Sequence, residues 1–117
     1  MSFDQTLKNI TAVLGNKNHD AFVAELDKHV IGWIGVSQSI KIEVPPYCEI
    51  HGLVVDDNFR NHGIGKKLIE KGKQWARERG NIRLKLQCNV IRKETHLFYE
   101  HLGFKETKQQ KVFEIVV

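Results

Sequence analysis

The chain has 117 residues, with 18 Lys and Arg against 14 Asp and Glu, and a formal net charge of +4. That length makes one domain with one modest core. No apolar run approaches the ~18 residues of a membrane span, and the N-terminus lacks a charged-then-apolar leader pattern. Cys48 and Cys88 stand far apart and outside any C-x-x-C pair, so free thiols in a reducing cytoplasm are expected. The positive charge fits solvated helix faces or attraction to a polyanion, either nucleotide phosphates or nucleic acid.

Phe3, Leu7, Ile10 and Leu14 recur at helical spacing, and Gly15-Asn16 ends that helix. Residues 19–26 predict a short strand, and Asp27-Lys28 a hairpin turn into a second strand over 29–38. The glycines of that second strand predict a bulge or a close backbone approach. A polar connection closed by Pro45-Pro46 leads to a strand over 47–55. A turn follows, then a helix from Ile64 with Leu68, Gly72, Trp75 and Ala76 on its buried stripe and Gly80-Asn81 as its stop. Alternation at Ile82, Leu84, Leu86 and Cys88 predicts a strand over 82–88. A helix over 92–102 is expected to bury Ile91, Thr95, Phe98 and Leu102, and two strands, 104–109 and 111–117, to close the chain. The order α-β-β-β-α-β-α-β-β predicts an α/β (α+β) domain: a mixed, mostly antiparallel sheet, one parallel strand-helix-strand unit over 47–88, and helices on both faces.

The strand-to-helix junction carries the chemical signal. Leu53-Val54-Val55 stops at Asp56-Asp57-Asn58, and the turn Arg60-Asn61-His62-Gly63-Ile64-Gly65 opens the helix. A glycine-bearing turn at a helix start aims free N–H groups and the positive helix end at one point, a natural seat for phosphate. A P-loop would need glycine where Arg60 stands and Ser or Thr where Lys67 stands. A dinucleotide fingerprint starting at Gly63 would need glycine where Leu68 stands. What remains is Arg-x-x-Gly-x-Gly, Arg60 to Gly65.

That pattern resembles the pyrophosphate-gripping motif A of the GNAT family of N-acetyltransferases. Phe98-Tyr99-Glu100-His101-Leu102-Gly103-Phe104 is similar to the same family's motif B. Together the motifs and the element order cover about residues 20–117. The resemblance implies one acetyltransferase domain over 1–117, acetyl-CoA as cosubstrate, and direct attack on its thioester by a primary amine. It implies cofactor contacts from the Leu53, Val54 and Val55 backbone, where a bulge splays the strand and one N–H stabilises the oxyanion. It also implies contacts from the Arg60, Asn61, His62, Gly63, Ile64, Gly65 and Lys66 loop.

Tyr99 is the implied general acid for the departing thiolate. A phenol near pKa ~10 serving a thiolate near ~8.5 works uphill by roughly 2 kcal/mol. Either the site lowers that pKa, or Tyr99 orients the sulfur or a water. A lysine-like amine near neutral pH carries a deprotonation deficit of roughly 4 kcal/mol, which a base can partly recover. Glu49 matches the base position of the family's histone-acetylating branch, and strand alternation places His51 on the same face. Another branch puts its base where this chain has Gln87, which cannot take a proton. Direct attack by an amine arriving neutral is the third option.

Two departures stand out. Where the family has a cofactor-contacting Asn, this chain has Arg92, which suits a phosphate instead. The family's usual first strand and helix are also missing before residue 3, so either the acceptor pocket is open or a second subunit, in a homodimer, completes it. His96 and His101 do not converge on a helix, and the thiols lack ligand spacing, so no metal is expected. The rival readings are an acyl-CoA-binding module without catalysis and a nucleic-acid binder. The second lacks a clustered basic-aromatic face. A small-molecule or peptide amine is the expected substrate, with no membrane or nucleic-acid partner.

Overall fold

The computed structural model describes residues 15–81, 83–88 and 93–117. The helix expected over 3–14 and the candidate Arg92 lie outside the described residues. The chain divides into two compact units, Met1–Gln87 and Cys88–Val117.

The first unit is a four-stranded sheet in sequential order. It comprises β1 (His19–Leu26), β2 (His29–Ser39), β3 (Tyr47–Val55) and β4 (Leu84–Leu86). The first three pair antiparallel and β3 pairs β4 in parallel, as the element order predicts. Asp27 and Lys28 both have positive φ, 50° and 67°. This turn geometry matches the natural twist of a two-residue hairpin. A short 3-10 helix, Asp57–Phe59, is capped by Asp56, whose carboxylate accepts from the Asn58 N–H at 2.9 Å.

The helix α1 spans Ile64–Glu78 and buries Leu68, Ile69, Gly72, Trp75 and Ala76, nearly the stripe the periodicity predicts. Its partners on the sheet are the alternate β2 residues Gly32, Ile34 and Val36. A Cβ on Gly72 would sit 3.3 Å from Ile34 Cδ1, and one on Gly32 would sit 2.9 Å from the Val54 carbonyl and 3.3 Å from Leu68 Cδ1. The two glycines therefore set how closely helix and strands approach. Ile34 and Ile69 are fully buried at this seam, each contributing about 1.5–3 kcal/mol by leaving water. Gly80 ends the helix at φ +75°, with Gly80 N–H donating to Arg77 O at 2.9 Å and Asn81 N–H to Ala76 O at 3.0 Å. This pair of bonds is a Schellman closure.

β4 is shorter than the strand expected over 82–88. Only Leu84, Lys85 and Leu86 pair with β3, opposite Cys48, Glu49 and Ile50. The apolar alternation is there, but a strand extends only as far as its neighbour's hydrogen bonds.

The second unit holds the helix α2, Lys93–His101. It ends in another Schellman closure: Gly103, at φ +96°, donates to Glu100 O at 3.0 Å, and Phe104 N–H donates to Tyr99 O at 3.0 Å. The Tyr99 and Phe104 rings meet edge-on across it at 5.6 Å. The aromatic-Tyr-x-x-x-Gly-Phe pattern is thus also a helix stop with its own apolar clasp. Thr95, Tyr99 and Leu102 are half-buried while Phe98 is exposed, so Tyr99 takes the place expected for Phe98. The two closing strands do not form. Residues 104–117 have no regular secondary structure, and Val112, Phe113, Ile115, Val116 and Val117 are exposed. Their alternation has no neighbouring strand among the described residues. No helix of the described residues is long and apolar enough to cross a membrane.

Candidate active site

The turn before α1 is built from two left-handed residues, Asn61 at φ 65° and Gly63 at φ 78°. Gly63 is the helix N-cap and provides no side-chain cap. The first capped amide is Lys67, whose N–H donates to Gly63 O at 3.1 Å. Among the described residues, the amides from His62 to Lys66 have no protein acceptor. Left-handed residues before a helix turn successive N–H groups to one side, and the helix adds about half a positive charge there. The side chains of Asn61, His62 and Lys66 are exposed, and Ile64 and Gly65 are half-buried. This cradle is main chain with cations at its margin, which suits a diphosphate. Arg60 is the exception: its guanidinium pairs with Asp57 at 2.8 Å. Both partners are exposed, so the pair is a weak constraint, on the order of 1 kcal/mol or less.

β3 leads into this turn. Its pairing with β4 stops at Ile50–Leu86, so from His51 to Val55 its outer edge has no strand neighbour among the described residues. The expected parting of the strand is present. The expected bulge is not at Leu53-Val54-Val55, which pair regularly with Ile34, Trp33 and Gly32. It lies earlier: Val36 faces Ile50 and Gly35 faces Gly52, leaving His51 as the extra residue. Such a bulge flips the alternation. Glu49, His51, Gly52 and Val54 therefore share the face opposite α1, while Ile50, Leu53 and Val55 point to the helix side. Close backbone approach explains the position: a Cβ on Gly52 would lie 2.7 Å from the Trp33 ring, which covers it.

Glu49 and His51, the two candidate bases, are brought to one face as strand alternation predicts. Glu49 is half-buried and its Oε2 accepts from the Ser39 hydroxyl at 3.5 Å. His51 is exposed, its Nε2 is hydrogen-bonded to Ser37 Oγ, and its ring stacks on His19 at 5.6 Å and 9°. Sequence reasoning missed Ser37, Ser39, His19 and Trp33. Period-two counting along β2 from Trp33 reaches Ser37 and Ser39 on the same face, which is the signal that was available.

Tyr99 packs edge-on against Phe98 at 5.3 Å. Burial pushes its phenol above the usual tyrosine value, with a smaller push from Cys88. In this structure burial therefore favours the neutral phenol. Cys48 and Cys88 are free thiols. Burial raises both, with Arg79 and Asn81 opposing the effect at Cys48.

Fold and junction define a class: an α+β domain with, among the described residues, a turn of free main-chain amides beside an unpaired strand edge. The acetyltransferase (GNAT) family model matches residues 2–104. The chain belongs to that family. It is 35% identical over 92 residues to an uncharacterised N-acetyltransferase of Methanocaldococcus jannaschii, covering 77% of this chain and 41% of that protein. It is 28% identical over 114 residues to N-acetyltransferase 8 of Homo sapiens, covering 93% and 49%. The chain thus spans about half the length, or less, of these curated relatives. Among solved structures, an aminoglycoside 6'-N-acetyltransferase of Acinetobacter haemolyticus superposes with a TM-score of 0.88 at 21% identity, covering 100% of this chain and 83% of that one. An aminoglycoside N-acetyltransferase in complex with CoA gives 0.88 at 20% identity, covering 97% and 88%.

Proposed function

We propose that this chain is an acetyl-CoA-dependent N-acetyltransferase domain that moves an acetyl group to a primary amine by direct attack. The observation that carries the reading is the row of amides from His62 to Lys66 without an acceptor among the described residues, beside a strand edge that has no neighbour among them from His51 onward. Those amides hold the diphosphate of CoA, each charge-assisted bond contributing on the order of 1.5–3 kcal/mol. Leu53, Val54 and Val55 offer main-chain N–H and C=O groups to the pantetheine arm as a neighbouring strand would, and one N–H polarises the thioester carbonyl. The motif B resemblance makes Tyr99 the hydrogen-bond donor to the leaving sulfur, and burial favours the neutral phenol that such a donor needs. Arg60 exchanges Asp57 for a phosphate, a small loss for an exposed pair.

The acceptor panel takes in polyamines, amino acids and lysine peptides, with aminoglycosides added because two structural relatives are named for them. The test is titration calorimetry with CoA and acetyl-CoA, followed by thiol release across that panel. Saturable binding and amine-dependent thiol support the reading, and no heat with either ligand overturns it. Binding without thiol from any amine would instead support an acyl-CoA-binding module.

A further inference from the structure

We infer that Ser37 is a positioning residue that orients His51, rather than Glu49, as the proton acceptor for the incoming amine. The inference rests on the acetyl-transfer reading and names the group that activates its nucleophile. Three observations converge on His51. It is the extra residue of the β3 bulge, so its backbone is pushed out of the ladder. It is the first residue past the last β3–β4 pair, the place where the strand edge opens. And its ring is held on two sides, by Ser37 through Nε2 and by the stacked His19. Among the described residues, Glu49 makes the long 3.5 Å contact with Ser39 and attracts the Lys41 ammonium, and neither fixes its carboxylate as Ser37 and His19 fix the His51 ring.

Ser37 is 3% exposed, so its hydroxyl has little water to turn to and its bond to the imidazole is a fixed one. A neutral imidazole has one N–H and one lone pair. If Ser37 donates to Nε2, the lone pair is used and His51 cannot accept from substrate. If Nε2–H donates to Ser37 Oγ, the lone pair lies on Nδ1 of an exposed ring. The base therefore requires the second arrangement, and the Nε2–H bond to Ser37 persists when Nδ1 is protonated. The titratable groups at this face among the described residues include His19 from β1, Tyr47 and Glu49 from β3, Lys41, which acts on both of these, and Lys85 from β4, which is in register with Glu49. The Lys85 ammonium lies over the Tyr47 ring at 4.2 Å.

The step balances without a further reagent. The amine nitrogen bonds to the thioester carbonyl carbon, the C–S bond breaks, and its electron pair goes to sulfur. The surplus amine proton passes to His51 Nδ1, directly or through one water, and then to solvent. Sulfur takes one proton from solvent to become the free thiol, so the proton released by nitrogen and the one gained by sulfur cancel.

The test uses the whole chain with ring-labelled histidine. In the wild type, long-range 1H–15N correlation should show His51 as the Nε2–H tautomer. Ser37→Ala should leave a tautomer mixture, lower kcat by about tenfold to hundredfold, and leave the KM for acetyl-CoA unchanged. Ser37→Thr, which keeps the hydroxyl, should restore both signals, and His51→Gln should lose at least as much rate as Ser37→Ala. A wild-type Nδ1–H tautomer overturns the inference whatever the variants do, and needs no activity to be read. Wild-type kcat in folded Ser37→Ala or His51→Gln also overturns it, while failure of CoA to bind overturns the acetyl-transfer reading instead.

Discussion

Replacing Gly63 by alanine tests the main-chain cradle most directly. Gly63 has φ +78° and ψ 8°, and a methyl group built there meets nothing within 4 Å. The penalty is therefore conformational and not steric: about 1–2 kcal/mol for an L-residue held in the left-handed region. For a domain of this size each kcal/mol lowers Tm by about 4 °C. If the chain relaxes to negative φ to relieve the strain, the following amides turn away. Loss of one charge-assisted bond, about 1.5–3 kcal/mol, weakens CoA roughly tenfold to hundredfold. Gly63→Asn should behave differently, because asparagine tolerates this region and its loss should be a fraction of the alanine loss. The assay is thermal melting with CoA titration for both variants. An alanine variant that melts and binds like the wild type refutes the reasoning, and so does an asparagine variant worse than alanine.

Tyr99→Phe should lower kcat about tenfold through loss of one neutral hydrogen bond, with CoA affinity unchanged; a calorimetric and initial-rate comparison checks it. Gly52→Ala drives a methyl to 2.7 Å from the Trp33 ring, so that exposed indole must swing off the sheet, seen as a change in tryptophan emission with little change in Tm. Cys48 titrates from a raised pKa against an ordinary value near 9.0. The folded state favours the neutral thiol, so its contribution is complete below about pH 9 and is lost as pH rises through the folded value. The Tyr99 phenol, raised from 10.0, adds a loss of the same sign above about pH 10. Urea midpoints should fall from pH 9 upward, and Cys48→Ala should flatten the first part of that fall.

Features set by local periodicity were legible in the sequence. The α1 stripe, the Asp27-Lys28 turn and the three antiparallel strands follow from spacing and turn chemistry within a few residues. The glycine-bearing turn into α1 was legible too, and the structure has left-handed residues there at Asn61 and Gly63. What was hidden depends on partners distant in sequence. The bulge falls at His51 because Gly35 on β2 faces Gly52, and the Leu53-Val54-Val55 run carries no mark of that. Ser37 is an ordinary strand serine until its partner fourteen residues away is known. Residues 104–117 alternate like a strand, yet alternation describes a face and does not supply a neighbour. The Arg60–Asp57 pair was within reach, being three residues apart on a tight turn.

The left-handed pair Asn61 and Gly63 presents backbone and not side chains, so outside Arg60, Asn61 and the glycines the loop tolerates other side chains. His62 and Lys66 point to solvent and can be recoded, for example to a cysteine bearing an environment-sensitive dye. A probe placed there would sit at the rim of the cradle without replacing any of its atoms. Ligand capture by this loop could then be followed optically in a mixture of many such domains.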